Sequence, residues 1–134
     1  MTSKKKLINP LQYIKKESPI GIIIYGEDSE ERNKYMKKLY KQCKDAGACL
    51  YDESSEDVIN KLSINKNNKK DSVIFFSIGE HIKMDGATCQ ALNEYLLFGS
   101  SLRTAVVISV ETKEKLLECI GTFDNVIADA IQVG

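Results

Sequence analysis

The stretch that decides the fold is Gly21–Tyr40, GIIIYGEDSEERNKYMKKLY. Its apolar part, Ile22–Tyr25, predicts a short buried strand, because four such residues in a row suit a strand covered on both faces. Gly26 then turns the chain, and an amphipathic helix follows over about 29–44, with Asp28 in the capping position. The stretch therefore predicts a strand, a tight loop and a helix in direct succession.

Strands and helices alternate along the rest of the chain in the same way. The predicted strands lie at about 20–25, 48–51, 72–78, 105–110 and 126–133. The runs SVIFFSI (72–78) and AVVISV (105–110) are continuously apolar, which is typical of central strands buried on both faces. Helices are predicted before the first strand, where Asn9 and Pro10 form a good start, and after each of the first four strands. This alternation predicts an α/β fold, a three-layer αβα sandwich with a mostly parallel five-stranded sheet.

Length and charge limit the classes of function. The 134 residues fit a single domain, which we place at 9–134 after a flexible basic start at 1–8. Lys plus Arg equals Asp plus Glu, with 19 of each, so no overall field favours nucleic acid. No apolar run reaches the roughly 18 residues of a membrane span, and the N-terminus lacks the apolar core of a signal peptide. We therefore expect a cytoplasmic protein that binds neither a membrane nor nucleic acid.

The four cysteines show no metal-binding rhythm. They are Cys43, Cys49, Cys89 and Cys119, and no two have C-x-x-C spacing. We interpret them as small, reduced core residues. The acidic residues also lack the spacing of a calcium loop. The sequence therefore predicts no metal site.

The first strand, loop and helix have the frame of the phosphate-binding motif G-x-x-x-x-G-K-[ST]. Counted from Gly26, the second glycine position holds Glu31, the lysine position Arg32 and the hydroxyl position Asn33. A polyphosphate there would also meet other carboxylates of the same loop, which would repel it. Those carboxylates either complement the helix dipole or form a partner site. The frame therefore predicts a loop that has the outline of a nucleotide-binding loop but lacks the residues that bind a nucleotide. We expect no cofactor.

The order of these features resembles the core of AAA+ ATPases over about Leu11–Val133. Gly26–Asn33 occupies the place of the P-loop, VIFFSIGEHIK (73–83) that of the acidic strand, and AVVISVET (105–112) that of the sensor strand. The stretch between Gly79 and Ser109 is similar in rhythm to clamp-loader subunits and to enhancer-dependent transcription activators. The resemblance implies the AAA+/RecA-like strand order 5-1-4-3-2.

The departures from that family concern its catalytic groups. Glu80 falls where the family keeps its catalytic glutamate, but Gly79 stands where a metal-holding aspartate belongs. Ser109 or Thr112 lies near the sensor position. The P-loop lysine is replaced by Arg32, and we expect no helical lid of the kind that closes over the adenine in that family. The resemblance therefore implies a relative that does not hydrolyse ATP and is not an enzyme.

A rival resemblance is to response-regulator receivers. GEDSEER (26–32) is similar to their acidic pocket, and KMDG (83–86) to the turn after their phosphorylated aspartate. However, Ser77 stands at the acceptor place. A receiver sheet would also make the first and third strands neighbours, whereas the AAA+ order places the fourth strand between them. We prefer the AAA+-like order.

These observations lead to one principal hypothesis on function. We expect a non-catalytic protein-interaction or regulatory module, which binds a protein partner or itself within an assembly for replication, transcription or secretion. One alternative is weak nucleotide binding without turnover, with Arg32 meeting a phosphate. Another is a pseudo-receiver that signals through its surface.

Overall fold

The computed structural model alternates helices and strands over the residues that it describes. These are 8–15, 20–47, 49–53, 71–77, 89, 90, 93, 96, 104–120 and 127–133. Their elements are α1 (Pro10–Lys15), β1 (Gly21–Tyr25), α2 (Ser29–Asp45), β2 (Cys49–Glu53), β3 (Ser72–Ser77), β4 (Thr104–Val110), α3 (Lys113–Ile120) and β5 (Ile127–Gln132). The four described residues between 89 and 96 are also helical. The helix predicted after β2 lies outside the described residues.

Side-chain caps determine where the helices begin. The Asn9 side chain accepts a hydrogen bond from the N–H two positions later, at 3.2 Å. Asp28 does the same for α2 at 2.9 Å, and Thr112 caps α3 through the N–H three positions later, at 3.3 Å. Gly47, with φ +84°, follows the end of α2, as is common after helices. The predicted starts and the predicted end are confirmed.

The five strands form one sheet in the order β2-β3-β4-β1-β5. All four neighbouring pairs are parallel. β4 lies between β1 and β3, so that Ile22 pairs with Val107. The prediction of an α/β fold with a parallel sheet is confirmed, and the order is the preferred one, read from the opposite edge. It is not the receiver-like order, in which β1 would lie beside β3.

The core lies on both faces of this sheet. Helices α1 and α2 cover one face, where the buried cluster comprises Ile14, Ile22, Ile24, Tyr35, Met36, Leu39, Cys43, Val73, Phe75, Ala105, Val107 and Val133. Successive strand residues point to opposite faces, and the alternate residues Ile23, Ile74, Phe76, Val106 and Ile108 are also buried. Leu116 of α3 is fully buried outside the first cluster. The arrangement is consistent with a three-layer sandwich.

The buried face of α2 is wider than the sequence indicates. The prediction named four residues for it: Met36, Leu39, Tyr40 and Cys43. Three of them are buried, while Tyr40 is half-buried, with its ring 5.4 Å from that of Phe75. Tyr35 and Arg32 are buried as well. The face therefore extends toward the N-terminus of the helix and includes a cation.

The end of β2 and the start of the folded domain differ from the predicted ones. β2 runs to Glu53 and not to 51, because its backbone pairs with β3 as far as Phe76. The strand lies at a sheet edge, where polar residues are tolerated. Ile8, assigned to the flexible start, packs against the core, and its carbonyl accepts a hydrogen bond from Gln42 Nε2 at 2.8 Å. The folded domain therefore begins at least one residue earlier than predicted.

The described cysteines differ in oxidation state. Cys43 is free and fully buried, as predicted. Burial raises the pKa of its thiol to about 11, so the thiol stays protonated near neutral pH and is a poor nucleophile. Cys89 is disulfide-bonded, which corrects the expectation that all four are reduced. Within the described part of the chain, no helix combines the length and apolar character that crossing a membrane requires.

Candidate functional site

The candidate site lies at the carboxyl ends of β1, β4 and β5. From β1 the chain continues to β2 at one edge of the sheet, and from β4 it continues to β5 at the other edge. Ligand crevices of open α/β sheets occur where connections diverge in this way. A cleft of about 350 Å³ opens here, lined by Tyr25, Gly26, Glu27, Glu111, Thr112, Lys113, Glu114 and Gln132.

Gly26 is needed for close backbone contact at the base of this cleft. Its N–H donates to the Glu111 carbonyl at 3.2 Å, and the Val133 N–H donates to the Tyr25 carbonyl at 2.8 Å. A Cβ at residue 26 would lie 2.0 Å from the Val133 carbonyl oxygen. A glycine is therefore required here by the end of β5, independently of any phosphate.

Arg32 is a buried cation that forms hydrogen bonds with two of the site's elements. The residue is only 9% exposed, although the sequence comparison with the P-loop motif places it at the lysine position. Its Nη1 donates to the Gly26 carbonyl, and its Nε donates to Ser109 Oγ at 3.2 Å. Ser109, which the AAA+ resemblance places near the sensor position, is itself buried. The guanidinium therefore links α2 to the ends of β1 and β4.

The N–H groups at the start of α2 also have partners within the chain. Asp28 Oδ1 accepts from the N–H of Glu30 at 2.9 Å and from that of Glu31 at 3.4 Å. In a phosphate-binding loop, N–H groups at this point of the chain contact the anion. Here a carboxylate of the protein takes that place, in addition to the bond from Gly26 N–H to Glu111.

The predicted site positions therefore separate into three groups. Gly26, Arg32 and Ser109 meet at the ends of β1 and β4. Glu31 and Asn33 are exposed on α2, and Glu31 pairs with Lys34 at 3.7 Å. Gly79 and Glu80 lie outside the described residues. The interpretation of the acidic loop as a helix cap is confirmed for Asp28.

The rim of the cleft carries more negative than positive charge. Glu27, Glu111 and Glu114 are exposed carboxylates among its lining residues. Lys113 is the cation of that lining, with its Nζ 5.0 Å from the centre of the Tyr25 ring. Such a rim attracts cations and repels polyphosphates.

A second polar cluster, which the sequence analysis missed, lies at the outer edge of the sheet. Tyr13 Oη donates to Asp129 Oδ2 at 3.2 Å, joining α1 to β5. Burial raises the pKa of Tyr13, and the Asp129 carboxylate raises it further. The signal in the sequence was a single charge inside the apolar pattern of the last strand.

Metal coordination finds no support among the described residues, where no three His, Cys, Asp or Glu side chains are grouped to hold an ion. A scan against protein-family models produced no match, and no curated protein matched the chain.

Proposed function

We propose that this protein is a non-catalytic, AAA+-like module that acts by binding a protein partner or a second copy of itself. Its setting would be an assembly for replication, transcription or secretion. The observation that carries the proposal is the burial of Arg32 against the Gly26 carbonyl and Ser109. In the family it resembles, the side chain at this position meets a phosphate. Here the cation is engaged within the protein.

The surroundings of Arg32 support the same conclusion. The N–H groups of Gly26, Glu30 and Glu31 already donate to acceptors within the chain. A phosphate would have to displace the Asp28 carboxylate from the helix N-terminus and would then face the acidic rim. Both steps cost free energy that a nucleotide would have to recover from other contacts.

On this proposal, the fold has lost its nucleotide chemistry and presents an acidic cleft to a partner. Electrostatic complementarity favours a partner that presents basic residues to this cleft. On this proposal the protein has no catalytic residues and no cofactor.

Calorimetry with ATP and ADP, each with and without Mg²⁺, tests the loss of nucleotide binding. We expect no heat and no rise in melting temperature at millimolar nucleotide. A variant that restores the family's residues, Glu31→Gly with Arg32→Lys and Asn33→Thr, is the comparison. Binding by this folded variant and not by the wild type supports the proposal, whereas binding by the wild type contradicts it.

Partner capture tests the second half of the proposal. We expect Glu27→Lys and Glu111→Lys to abolish capture from a lysate by reversing the charge of the rim. Glu118→Lys makes the same change at an exposed position of α3 that does not line the cleft, and we expect it to leave capture intact. A wild-type protein that stays monomeric and captures nothing would count against an interaction module.

Weak nucleotide binding without turnover is the second candidate, because one observation favours it. The cleft of about 350 Å³ lies at the strand ends where α/β proteins bind ligands, and its volume is within the range of ligand pockets. In this case the nucleotide would occupy the outer cleft and leave Arg32 in place. The calorimetric titration separates the two candidates.

A further inference from the structure

β5 and β2 are the two edge strands of the described sheet, and the outer edge of β5 is one of the places where a further strand could add. β5 pairs with β1 on one side and has no other neighbour in the sheet order. The Val133 N–H points to β1, as its bond to the Tyr25 carbonyl demonstrates. In a parallel pair, alternate residues direct both backbone groups to the same side. Ala130 therefore directs its N–H and C=O toward the outer edge.

Asp129 occupies part of this edge. Its Oδ1 accepts a hydrogen bond from the Ala130 N–H at 2.9 Å. Ala130 is one of the residues whose N–H faces outward, so the carboxylate takes a donor that an added strand would use. The other carboxylate oxygen, Oδ2, accepts from Tyr13 of α1 at 3.2 Å. The hydroxyl thus helps to hold the carboxylate in this position.

The composition of β5 makes Asp129 important. The strand reads IADAIQ, in which Asp129 carries the sole charge. Its two alanines leave the edge sterically open, and all six residues are at least partly exposed. An uncharged edge of this kind pairs readily with another strand. If the β5 strands of two copies paired, both would bring Asp129 carboxylates to the same short ribbon, and like charges there repel each other.

We propose that Asp129, held by Tyr13, is a gate that keeps β5 from pairing with β5 of a second copy of this chain. The carboxylate acts twice, by occupying the Ala130 N–H and by repelling its counterpart. This inference is independent of nucleotide binding, since Tyr13, Asp129 and Ala130 are not among the residues that line the cleft. It predicts that removing the carboxylate exposes a surface for self-association.

Light scattering at a low and a high protein concentration tests the gate. We expect the wild type to remain a monomer at both. The mass of Asp129→Ala should rise with concentration and approach twice the wild-type value. Asp45→Ala removes the same charge from an exposed position at the end of α2 and should stay monomeric. Asp129→Asn, which removes the charge but retains the shape, should give a smaller rise and replaces the alanine variant if that fails to fold.

A second substitution locates the contact. Ala130→Pro removes the outward N–H at a strand edge, where proline is tolerated. Combined with Asp129→Ala, it should restore the monomer. The gate is refuted if the folded Asp129 variants stay monomeric at the high concentration, if the wild type dimerises and Ala130→Pro alone abolishes that dimer, or if the double variant remains a dimer.

Discussion

Arg32 and Asp129 each connect a helix to the sheet, but in opposite surroundings. Arg32 is buried between α2 and the ends of β1 and β4. Asp129 is half-buried at the outer edge of β5, where it binds Tyr13 of α1. Water cannot replace the bonds of the first group, whereas it can replace those of the second. We therefore expect Arg32 to govern stability and Asp129 to govern what the surface can bind.

Removing the buried cation should have the largest effect. Arg32→Ala leaves the Gly26 carbonyl and Ser109 hydroxyl without their donor in the interior, so we expect the free energy of unfolding to fall by about 3 kcal/mol. Urea denaturation measures this change. Asn33→Ala, at the exposed neighbouring position, should stay within about 0.5 kcal/mol of the wild type. If the two variants were equally stable, the comparison between buried and exposed contacts would fail.

The close approach at Gly26 should have the next largest effect. A Cβ there would collide with the Val133 carbonyl, so Gly26→Ala should cost about 2–3 kcal/mol of stability. Gly47 provides the matched control, because a Cβ there meets nothing within 4 Å. Its φ of +84° alone should make Gly47→Ala cost about 1 kcal/mol. Equal losses in thermal or urea unfolding would mean that β5 does not press on Gly26.

The Ser109 hydroxyl should contribute less, because it is one of two acceptors. We expect Ser109→Ala to cost about 1 kcal/mol. A double-mutant cycle with Arg32→Ala should reveal a coupling of about 0.5 kcal/mol or more, since the two side chains share a hydrogen bond. Strictly additive losses would show that the contact contributes nothing to stability.

Loss of the Tyr13 hydroxyl should have the smallest effect. We expect Tyr13→Phe to cost about 0.5–1 kcal/mol near neutral pH. The Tyr13 pKa is raised above 10.0 by burial and by Asp129, so its contribution is fully present below pH 10 and is lost as pH rises through the raised value.

The pH dependence therefore separates the two regions of the molecule. The stability difference between the wild type and Tyr13→Phe should shrink above pH 10, while that between the wild type and Arg32→Ala should change less. Denaturation curves at neutral and at alkaline pH provide both differences. Titration of Tyr35 and Cys43 affects all three proteins and largely cancels in the differences. A constant Tyr13 difference would contradict the bond to Asp129.

Much of the fold was predictable because its signals are local. Asn9, Asp28 and Thr112 cap the helices as predicted, since a cap depends on the N–H groups two or three positions away. The apolar runs of β3 and β4 are also local signals, because each run by itself indicates a strand that is buried on both faces. The predicted end of β2 was wrong, because backbone pairing with β3, a strand that is distant in the sequence, sets where β2 ends.

The candidate site was only partly predictable. Counting from Gly26 identified Arg32, and the sensor-strand resemblance identified Ser109, but neither indicated that the two side chains bind each other. Only the alternative of weak nucleotide binding expected Arg32 to meet a phosphate, whereas two acceptors within the protein hold its side chain. The contact between Tyr13 and Asp129 was missed, because a tyrosine on a helix and an aspartate in a strand are unremarkable separately.

The sequence by itself determined the elements, their alternation and the absence of a P-loop lysine and second glycine. The tertiary structure decided which polar groups meet. Arg32 and Ser109 lie 77 residues apart, and Tyr13 and Asp129 lie 116 apart. Only the strand order, which places β1 between β4 and β5, brings the ends of these strands together. The Arg32 and Tyr13 side chains make these hydrogen bonds because folding brings acceptors from distant parts of the chain close to them.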